Sequence, residues 1–124
     1  MWEYRLRKNP IIDEEGWEIE KLHKMLESAG IEHVYRYRDE FHYLAGREIE
    51  LDPGYQIIIE ECGKRIISVV EGFGSYGFEV NRLEIMGLLT DEELDADSVV
   101  GWLSAENVFD RIKEYFENGK RNYR

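Results

Sequence analysis

A glycine-rich segment is the first part of the sequence whose residue types and spacing could do chemistry. Residues 72–77 read Gly-Phe-Gly-Ser-Tyr-Gly. This G-x-G-x-x-G spacing lets backbone amides approach a pyrophosphate at the start of a helix in dinucleotide-binding folds. The residues after Gly77 do not predict a helix, and no βαβ unit surrounds the motif. The pattern therefore favours a tight loop whose glycines adopt positive φ angles.

The histidines, the hairpin acids and the single cysteine show no catalytic or metal-ligand spacing. His33 and His42 fall on candidate neighbouring strands, so a cation site between them is one interpretation and partly exposed strand residues are the other. Glu61 and Lys64 resemble the acid and lysine of metal-dependent nucleases, but they are one residue too far apart and fall on a predicted turn. Cys62 has no histidine near it in sequence. We therefore assign no catalytic residue, no metal ligand and no cofactor.

Aromatic and basic side chains alternate over residues 35–38, which read Tyr-Arg-Tyr-Arg. Such interleaving can stack on and pair with a nucleotide. Ordinary strand alternation, with tyrosines towards the core and arginines towards water, gives the same pattern. A small-molecule, nucleotide or metal-dependent enzymatic site between this strand and the glycine-rich loop is the alternative function. Its predicted ligand contacts are Arg36, Arg38, Phe73, Gly74 and Tyr76.

Negative charge is concentrated in two short segments of the chain. The sequence has 27 acidic and 16 basic residues, a formal net charge of −11. Residues 13–20 and 91–97 each hold five acids and no base, and the remaining acids and bases nearly balance. Both segments are typical of the first turn of a helix, where acids stabilise the positive end of the helix dipole. The overall charge disfavours direct binding to nucleic acid or to an anionic membrane.

Alternating hydrophobicity predicts the strands that must position these residues. It predicts strands at 2–7 and 31–38, with 41–44 as a short partner strand. The strongest β signal is a hairpin, 55–61 and 65–71, around a tight glycine turn. Both faces of this hairpin carry isoleucine or valine, so we expect it to lie centrally and to be covered by helix on at least one side.

Helical periodicity and capping residues predict the helices. One helix is predicted at about 14–29, capped by Asp13 and ended by Gly30. A capping box at Thr90 predicts a short helix, and Ser104 caps a last helix that ends near residue 118. Residues 83–89 are ambiguous between strand and short helix, and residues 98–103 are strand-like. The order β-α-β-β-β-β-(α)-β-α indicates an α+β fold with two principal helices on a mainly antiparallel or mixed sheet of about five strands.

Length and composition indicate one ordered domain over residues 1–124. Of the 124 residues 43% are hydrophobic, which is enough for a real core. A single cysteine excludes an internal disulfide. No apolar run is long enough for a transmembrane span, and the first residues do not read as a signal peptide. We therefore expect a cytoplasmic protein.

Two parts of the sequence resemble small proteins encoded by phages and prophages of Firmicutes-type bacteria. The main likeness lies in 83–90 and 97–112, within a similar region of roughly 66–113 that includes Gly-Ser-Tyr-Gly at 74–77. Residues 22–34, a helix followed by Ala-Gly-Ile and a strand, are also similar. The resemblance implies a phage or prophage context and no catalytic residues.

The concentrated charge supports a non-catalytic binding protein as the leading functional hypothesis. Its partner would be a host or phage protein, and a nucleic-acid mimic or a defence inhibitor are two forms that such binding could take. The alternative interpretation is an ordinary solvated acidic face. The oligomeric state is left open, a homodimer included. The predicted partner-binding residues are Asp91, Glu92, Glu93, Asp95, Asp97, Glu106 and Asp110.

Overall fold

The first described helix follows the predicted helical periodicity but begins later than predicted. The computed structural model describes residues 16–38, 41–44, 47–50, 54–72 and 74–118, and the predicted strand at 2–7 lies outside them. Helix α1 spans Glu18–Ser28, and Trp17 rather than Asp13 holds its N-cap position. Gly30 follows the helix with a φ of 72°, as predicted for a glycine at this place.

The described residues form seven strands and two further helices. The strands are β1 Val34–Arg38, β2 Phe41–Leu44, β3 Arg47–Glu50, β4 Gly54–Glu61, β5 Lys64–Gly72, β6 Leu83–Met86 and β7 Val100–Leu103. The helices are α2 Asp91–Ala96 and α3 Ala105–Asn118, and a 3-10 turn lies at Phe78–Val80. The ambiguous segment 83–89 is therefore a strand at its start.

The predicted hairpin is confirmed as the middle of a five-stranded sheet. The turn residues Cys62 and Gly63 have φ angles of 53° and 77°, and two consecutive positive φ angles are what a two-residue type I′ turn requires. The strand order is β1-β4-β5-β6-β7, and every neighbouring pair is antiparallel. The predicted α+β class is therefore confirmed, with an antiparallel sheet.

The prediction that residues 41–44 pair with the preceding strand is wrong. β2 pairs with β3 in a separate two-stranded sheet, and β1 pairs with β4. Residues 47–50 carry no long β-branched run that would mark a strand by itself, so sequence reasoning did not predict β3. The segment between β1 and β4 therefore contributes a separate two-stranded sheet and no strand to the main sheet.

The capping signals of the two later helices are confirmed. Thr90 Oγ1 accepts the backbone N–H of Glu93, and the Glu93 carboxylate accepts the backbone N–H of Thr90, which makes a complete capping box for α2. Ser104 Oγ accepts the N–H of Asn107 at the start of α3. These local bonds satisfy first-turn amides that have no partner inside a helix.

The core lies between one face of the sheet and the helices α1 and α3. The amphipathic faces of both helices pack against the inward residues of β4, β5 and β6, as their hydrophobic spacing predicts. The buried side chains of this cluster are Ile19, Leu22, Leu26, Ile57, Ile59, Ile67, Val69, Leu83, Ile85, Leu88, Leu89, Ala105, Val108, Ile112 and Tyr115. The opposite face of the sheet is not covered by these helices.

The N-termini of α1 and α3 meet in a buried polar cluster. Asn81 Oδ1 accepts the N–H of Glu18 at 3.0 Å. Glu71 Oε1 accepts the N–H of Ile19 at 3.0 Å. Glu18 Oε1 in turn accepts the N–H of Ala105, the first residue of α3, at 2.8 Å. Carboxylates and an amide from distant parts of the chain therefore cap α1, whose N-cap residue Trp17 makes no side-chain cap bond, and add to the local Ser104 cap of α3.

Candidate functional site

Helix α2 carries four of the seven predicted partner-binding acids and is bonded to α3 through Arg111. Arg111 Nη1 and Nη2 donate to the two carboxylate oxygens of Glu93 at 2.8 and 2.6 Å. Arg111 Nη1 also donates to the carbonyl of Leu88 at 3.0 Å. The hydrogen bonds from Arg111, supported by that from Thr90, lower the pKa of Glu93 to about 2. Glu93 therefore forms a structural ion pair with Arg111, although it belongs to the predicted partner-binding residues.

Six of the seven predicted partner residues are exposed. Asp97 Oδ1 accepts the N–H of Ser98 at 2.6 Å, which fixes its orientation before β7. Glu106 lies 3.4 Å from Lys21 Nζ, and its own backbone N–H, assisted by Lys21, lowers the pKa of its carboxyl. The bridge from Arg111 brings α2 beside α3, which the predicted row of acids requires. That these acids bind a partner stays a prediction. The exposed members are Asp91, Glu92, Asp95, Asp97, Glu106 and Asp110.

A β-bulge on the edge strand β7 turns a tryptophan out of the fold. Leu83 pairs with Leu103 and Ile85 with Val100, so β7 carries one extra residue opposite β6. Trp102 lies in this bulge with a φ of 64° and is 60% exposed. A left-handed conformation is a genuine outlier for so bulky a residue, and bulges commonly re-aim a side chain.

Tyr76 in the glycine-rich loop lies directly beside Trp102. The Tyr76 carbonyl accepts the N–H of Trp102 at 3.3 Å, and the Tyr76 N–H donates to Glu84 Oε1 at 2.8 Å. A Cβ on Gly101 would overlap the Cβ of Tyr76, so glycine permits this close approach. Tyr76 is 51% exposed. We call the exposed rings of Tyr76 and Trp102 the edge patch.

Sequence reasoning treated Trp102 only as a residue of a strand. The available signal was Gly101 within a four-residue strand, because a glycine inside a strand often marks a bulge or a close backbone approach. Tyr76 was predicted as a ligand contact, and the structure places it in the edge patch instead of next to the arginines of β1.

The predicted alternative ligand contacts are not brought together as one site. Arg36 lies on β1, the opposite edge strand from β7. A cross-strand row runs from Arg36 through Gln56 and Val70 to Glu84, and three strand spacings make it about 14 Å long. Glu84, at the far end of this row from Arg36, accepts the N–H of Tyr76, which lies two residues after Gly74 in the loop. The backbone of Arg38 belongs to β1, and Phe73 lies outside the described residues.

The glycine-rich loop is a turn between two antiparallel strands and does not open a helix. Gly74 and Gly77 have φ angles of 93° and 98°, as predicted for a tight loop. Ser75 closes it by bonding both the N–H and the carbonyl of Gly72. A three-residue 3-10 turn follows, and β5 pairs directly with β6. The dinucleotide-binding context is therefore absent from this part of the chain.

The cation site considered as one interpretation of His33 and His42 is not supported by the topology, because β2 pairs with β3 and not with β1. His33 Nε2 instead lies 2.8 Å from Nδ1 of His23 on α1, and His33 Nδ1 lies 2.7 Å from the carbonyl of Ile31. This geometry joins the middle of α1 to the residue just before β1 through a histidine pair. Among the described residues, no group of three histidine, cysteine or acidic side chains is arranged to hold a metal ion.

The residues considered for nuclease chemistry at the β4–β5 turn either make a structural hydrogen bond or are exposed to solvent. Tyr115 OH donates to Glu61 Oε1 at 2.7 Å, and this bond raises the pKa of Tyr115. Glu61 pairs with Lys64 directly across the turn, and Cys62 is an exposed free thiol between them. Glu61 therefore anchors α3 to the hairpin.

Over the ranges that the structure describes, no helix has the length and apolar character that crossing a membrane requires. Comparison of the chain with protein-family models, with curated proteins and with solved structures finds no match.

Proposed function

We propose that this chain is a non-catalytic binding protein that docks, through the edge patch and the acids of α2, on the basic surface of a protein partner. The observation that carries the proposal is Trp102. Its left-handed conformation costs about 1–3 kcal/mol, and such strain clusters at functional positions. Its exposed indole forgoes the burial that favours tryptophan in a core. Strain and exposure together at one tryptophan are typical of a residue that is kept for binding.

The charges around this tryptophan indicate the chemistry of the partner. Residues 91–97 immediately precede β7 in the chain and carry five acids, one of which, Glu93, forms an ion pair with Arg111. Complementary charge raises association rates and selects partners, whereas a buried aromatic supplies most of the affinity. The partner surface we propose is therefore rich in lysine or arginine and contains an apolar recess for Trp102.

A nucleic-acid-binding protein offers such a surface. Carboxylates on a helix fixed by a capping box can imitate the charge of a phosphate backbone. The resemblance of 66–113 to phage and prophage proteins supports a partner of host or phage origin, and a defence protein that binds nucleic acid combines both features. In that reading the chain occupies the nucleic-acid site and does not itself bind nucleic acid.

The test is a pull-down of the tagged full chain from bacterial lysate, with nuclease treatment, at low and high salt. We expect one nucleic-acid-binding protein in stoichiometric amount, released at high salt because screening weakens charge pairing. The purified partner is then titrated against Trp102→Asn and against a variant in which Asp91, Glu92, Asp95 and Asp97 become amides. We expect each to weaken binding at least about tenfold.

Two controls separate binding from folding. Phe116→Ala removes an aromatic ring that is 44% exposed on α3, away from the edge patch in sequence, and is expected to bind normally. Asparagine tolerates the left-handed region better than tryptophan, so Trp102→Asn is expected to be as stable as the natural chain or more so. Equal partner binding by the natural chain, Trp102→Asn and the amide variant would refute the proposal.

A further inference from the structure

An unassigned polar cavity lies on the sheet face opposite the helices. Its volume is about 250 Å³, and it is lined by Gln56, Arg65, Ser68, Val70, Glu84 and Met86. Gln56 and Ser68 are only 4% and 7% exposed. Buried polar groups are nearly always hydrogen-bonded, so the bonds of these two side chains determine what the cavity presents to a ligand.

A directional chain of hydrogen bonds leads from β1 into this cavity. Arg36 Nε and Nη2 both donate to Gln56 Oε1, at 3.1 and 2.9 Å. Since a guanidinium only donates, the oxygen of the Gln56 amide must face Arg36 and its nitrogen must face the other way. That nitrogen donates to Ser68 Oγ at 2.8 Å. Ser68 Oγ is thus an acceptor in this bond, and within the described part of the chain its own proton has no acceptor.

A bulge adds a cation to the donor side of the cavity. Ile59 pairs with Ile67 and Glu60 with Arg65, so β5 has an extra residue there and Arg65 shares the face of Glu60 and Ser68. Glu84 lies on the other side, on β6, with Oε1 bonded to the Tyr76 N–H. The cavity therefore offers a hydroxyl proton and a guanidinium at one side and a carboxylate at the other.

We propose that this cavity binds a small zwitterion of the α-amino carboxylate class. The ligand carboxylate accepts hydrogen bonds from Ser68 Oγ and Arg65, and the ligand ammonium donates to Glu84 Oε2. A volume of about 250 Å³ corresponds to about eight water molecules, which suits a metabolite smaller than most drug-sized ligands. A phosphate ester does not match this cavity. The Glu84 carboxylate would repel the negative charge of a phosphate, whereas it can accept hydrogen bonds from an ammonium group. The residues that line this cavity are separate from those proposed to contact the protein partner.

The test is a titration of the ¹⁵N-labelled full chain, followed by the resonances of the Gln56 side-chain amide and of the Ser68 and Glu84 backbone. The probes are glycine, acetate, methylammonium and inorganic phosphate. We expect saturable shifts with glycine and weaker binding of acetate and methylammonium. Ser68→Ala and Arg65→Gln should each weaken glycine binding about tenfold, the loss of one hydrogen bond to a charged group. Arg65 is exposed, so its variant keeps the test valid if Ser68→Ala disturbs the fold.

Two further variants and three possible outcomes decide the proposal. Glu84→Gln should bring glycine binding down to the level of acetate, and Ser98→Ala, at an exposed serine elsewhere, should leave it unchanged. No saturable shift with any probe overturns the proposal, as does glycine binding that is unchanged in both Ser68→Ala and Arg65→Gln. Binding of inorganic phosphate or acetate at least as tightly as glycine overturns the zwitterion class.

Discussion

The ion pair between Glu93 and Arg111 can be removed without disturbing the helix cap next to it. Glu93 serves two bonds at once, since its carboxylate accepts the N–H of Thr90 and the guanidinium of Arg111. Glutamine at this position of a capping box performs the first task as well as glutamate. Glu93→Gln therefore removes the charge that faces Arg111 and keeps the cap of α2.

The free energy that the ion pair contributes to folding follows from the shifted pKa of Glu93. A fall from 4.5 to about 2 for Glu93 corresponds to about 3 kcal/mol if the pair were fully shielded. The two side chains are 26% and 13% exposed, and solvent screening reduces the contribution of Glu93 and Arg111 to about 1–2 kcal/mol. Because the folded-state pKa is depressed, this stabilisation is present above pH 4.5 and is lost as the pH falls towards about 2.

Urea denaturation measures the difference in unfolding free energy between the natural chain and Glu93→Gln. The measurement is repeated from neutral pH down to the lowest pH at which the chain is still folded. We expect Glu93→Gln to be less stable by about 1–2 kcal/mol at neutral pH, with the gap closing in acid. Glu92→Gln, at an exposed acid on the same helix, should stay within about 0.5 kcal/mol of the natural chain. A gap that is absent at neutral pH, or that persists undiminished in acid, would refute the assignment of the pair.

Three further predictions concern the fold. Gly101→Ala should lower the free energy of unfolding by about 1–3 kcal/mol, because the added methyl overlaps Tyr76; chemical denaturation measures it. Glu18→Ala should cost a similar amount, about 1–3 kcal/mol, by leaving the buried N–H of Ala105 without its acceptor, whereas Glu18→Gln should retain most of the stability. Burial raises the pKa of Tyr35 to about 12. The stability that protonated Tyr35 contributes is therefore complete below pH 10 and is lost as the pH rises towards 12. The difference in tyrosinate absorbance between the natural chain and Tyr35→Phe measures the pKa of Tyr35.

Local signals predicted the parts of the fold that local bonds build. The hairpin around Cys62 and Gly63 follows from two β-branched runs and a turn that tolerates positive φ. The capping box at Thr90 is visible in four consecutive residues. Helix α1 was predicted too long at its start, because its first turn is capped by Asn81 and Glu71 and not by a neighbouring residue.

The candidate sites depend on contacts that no local pattern contains. Glu18 reads as one acid in a charged first turn, yet it is buried and caps a helix 87 residues away. Gln56 and Ser68 become a directed pair only when β4 and β5 are in register, with Arg36 orienting the amide from β1. The outward position of Trp102 results from a bulge, and a one-residue change of register moves a side chain to the other face of a sheet.

Glu84 connects the two proposed surfaces, and the connection can be measured. Its Oε1 takes the N–H of Tyr76, whose carbonyl takes the N–H of Trp102, while its Oε2 is the proposed acceptor for a ligand ammonium. An ammonium group bound to the Glu84 carboxylate would neutralise its charge and should change its hydrogen bond to Tyr76. Glycine binding should therefore shift the backbone amide resonances of Tyr76 and Trp102 along the same saturation curve as the side-chain amide resonance of Gln56. Since coupling between two sites is reciprocal, glycine should then alter affinity for the protein partner, and the partner should alter affinity for glycine by the same factor. Shifts at Gln56 with none at Tyr76 and Trp102 would show that the cavity and the edge patch act separately.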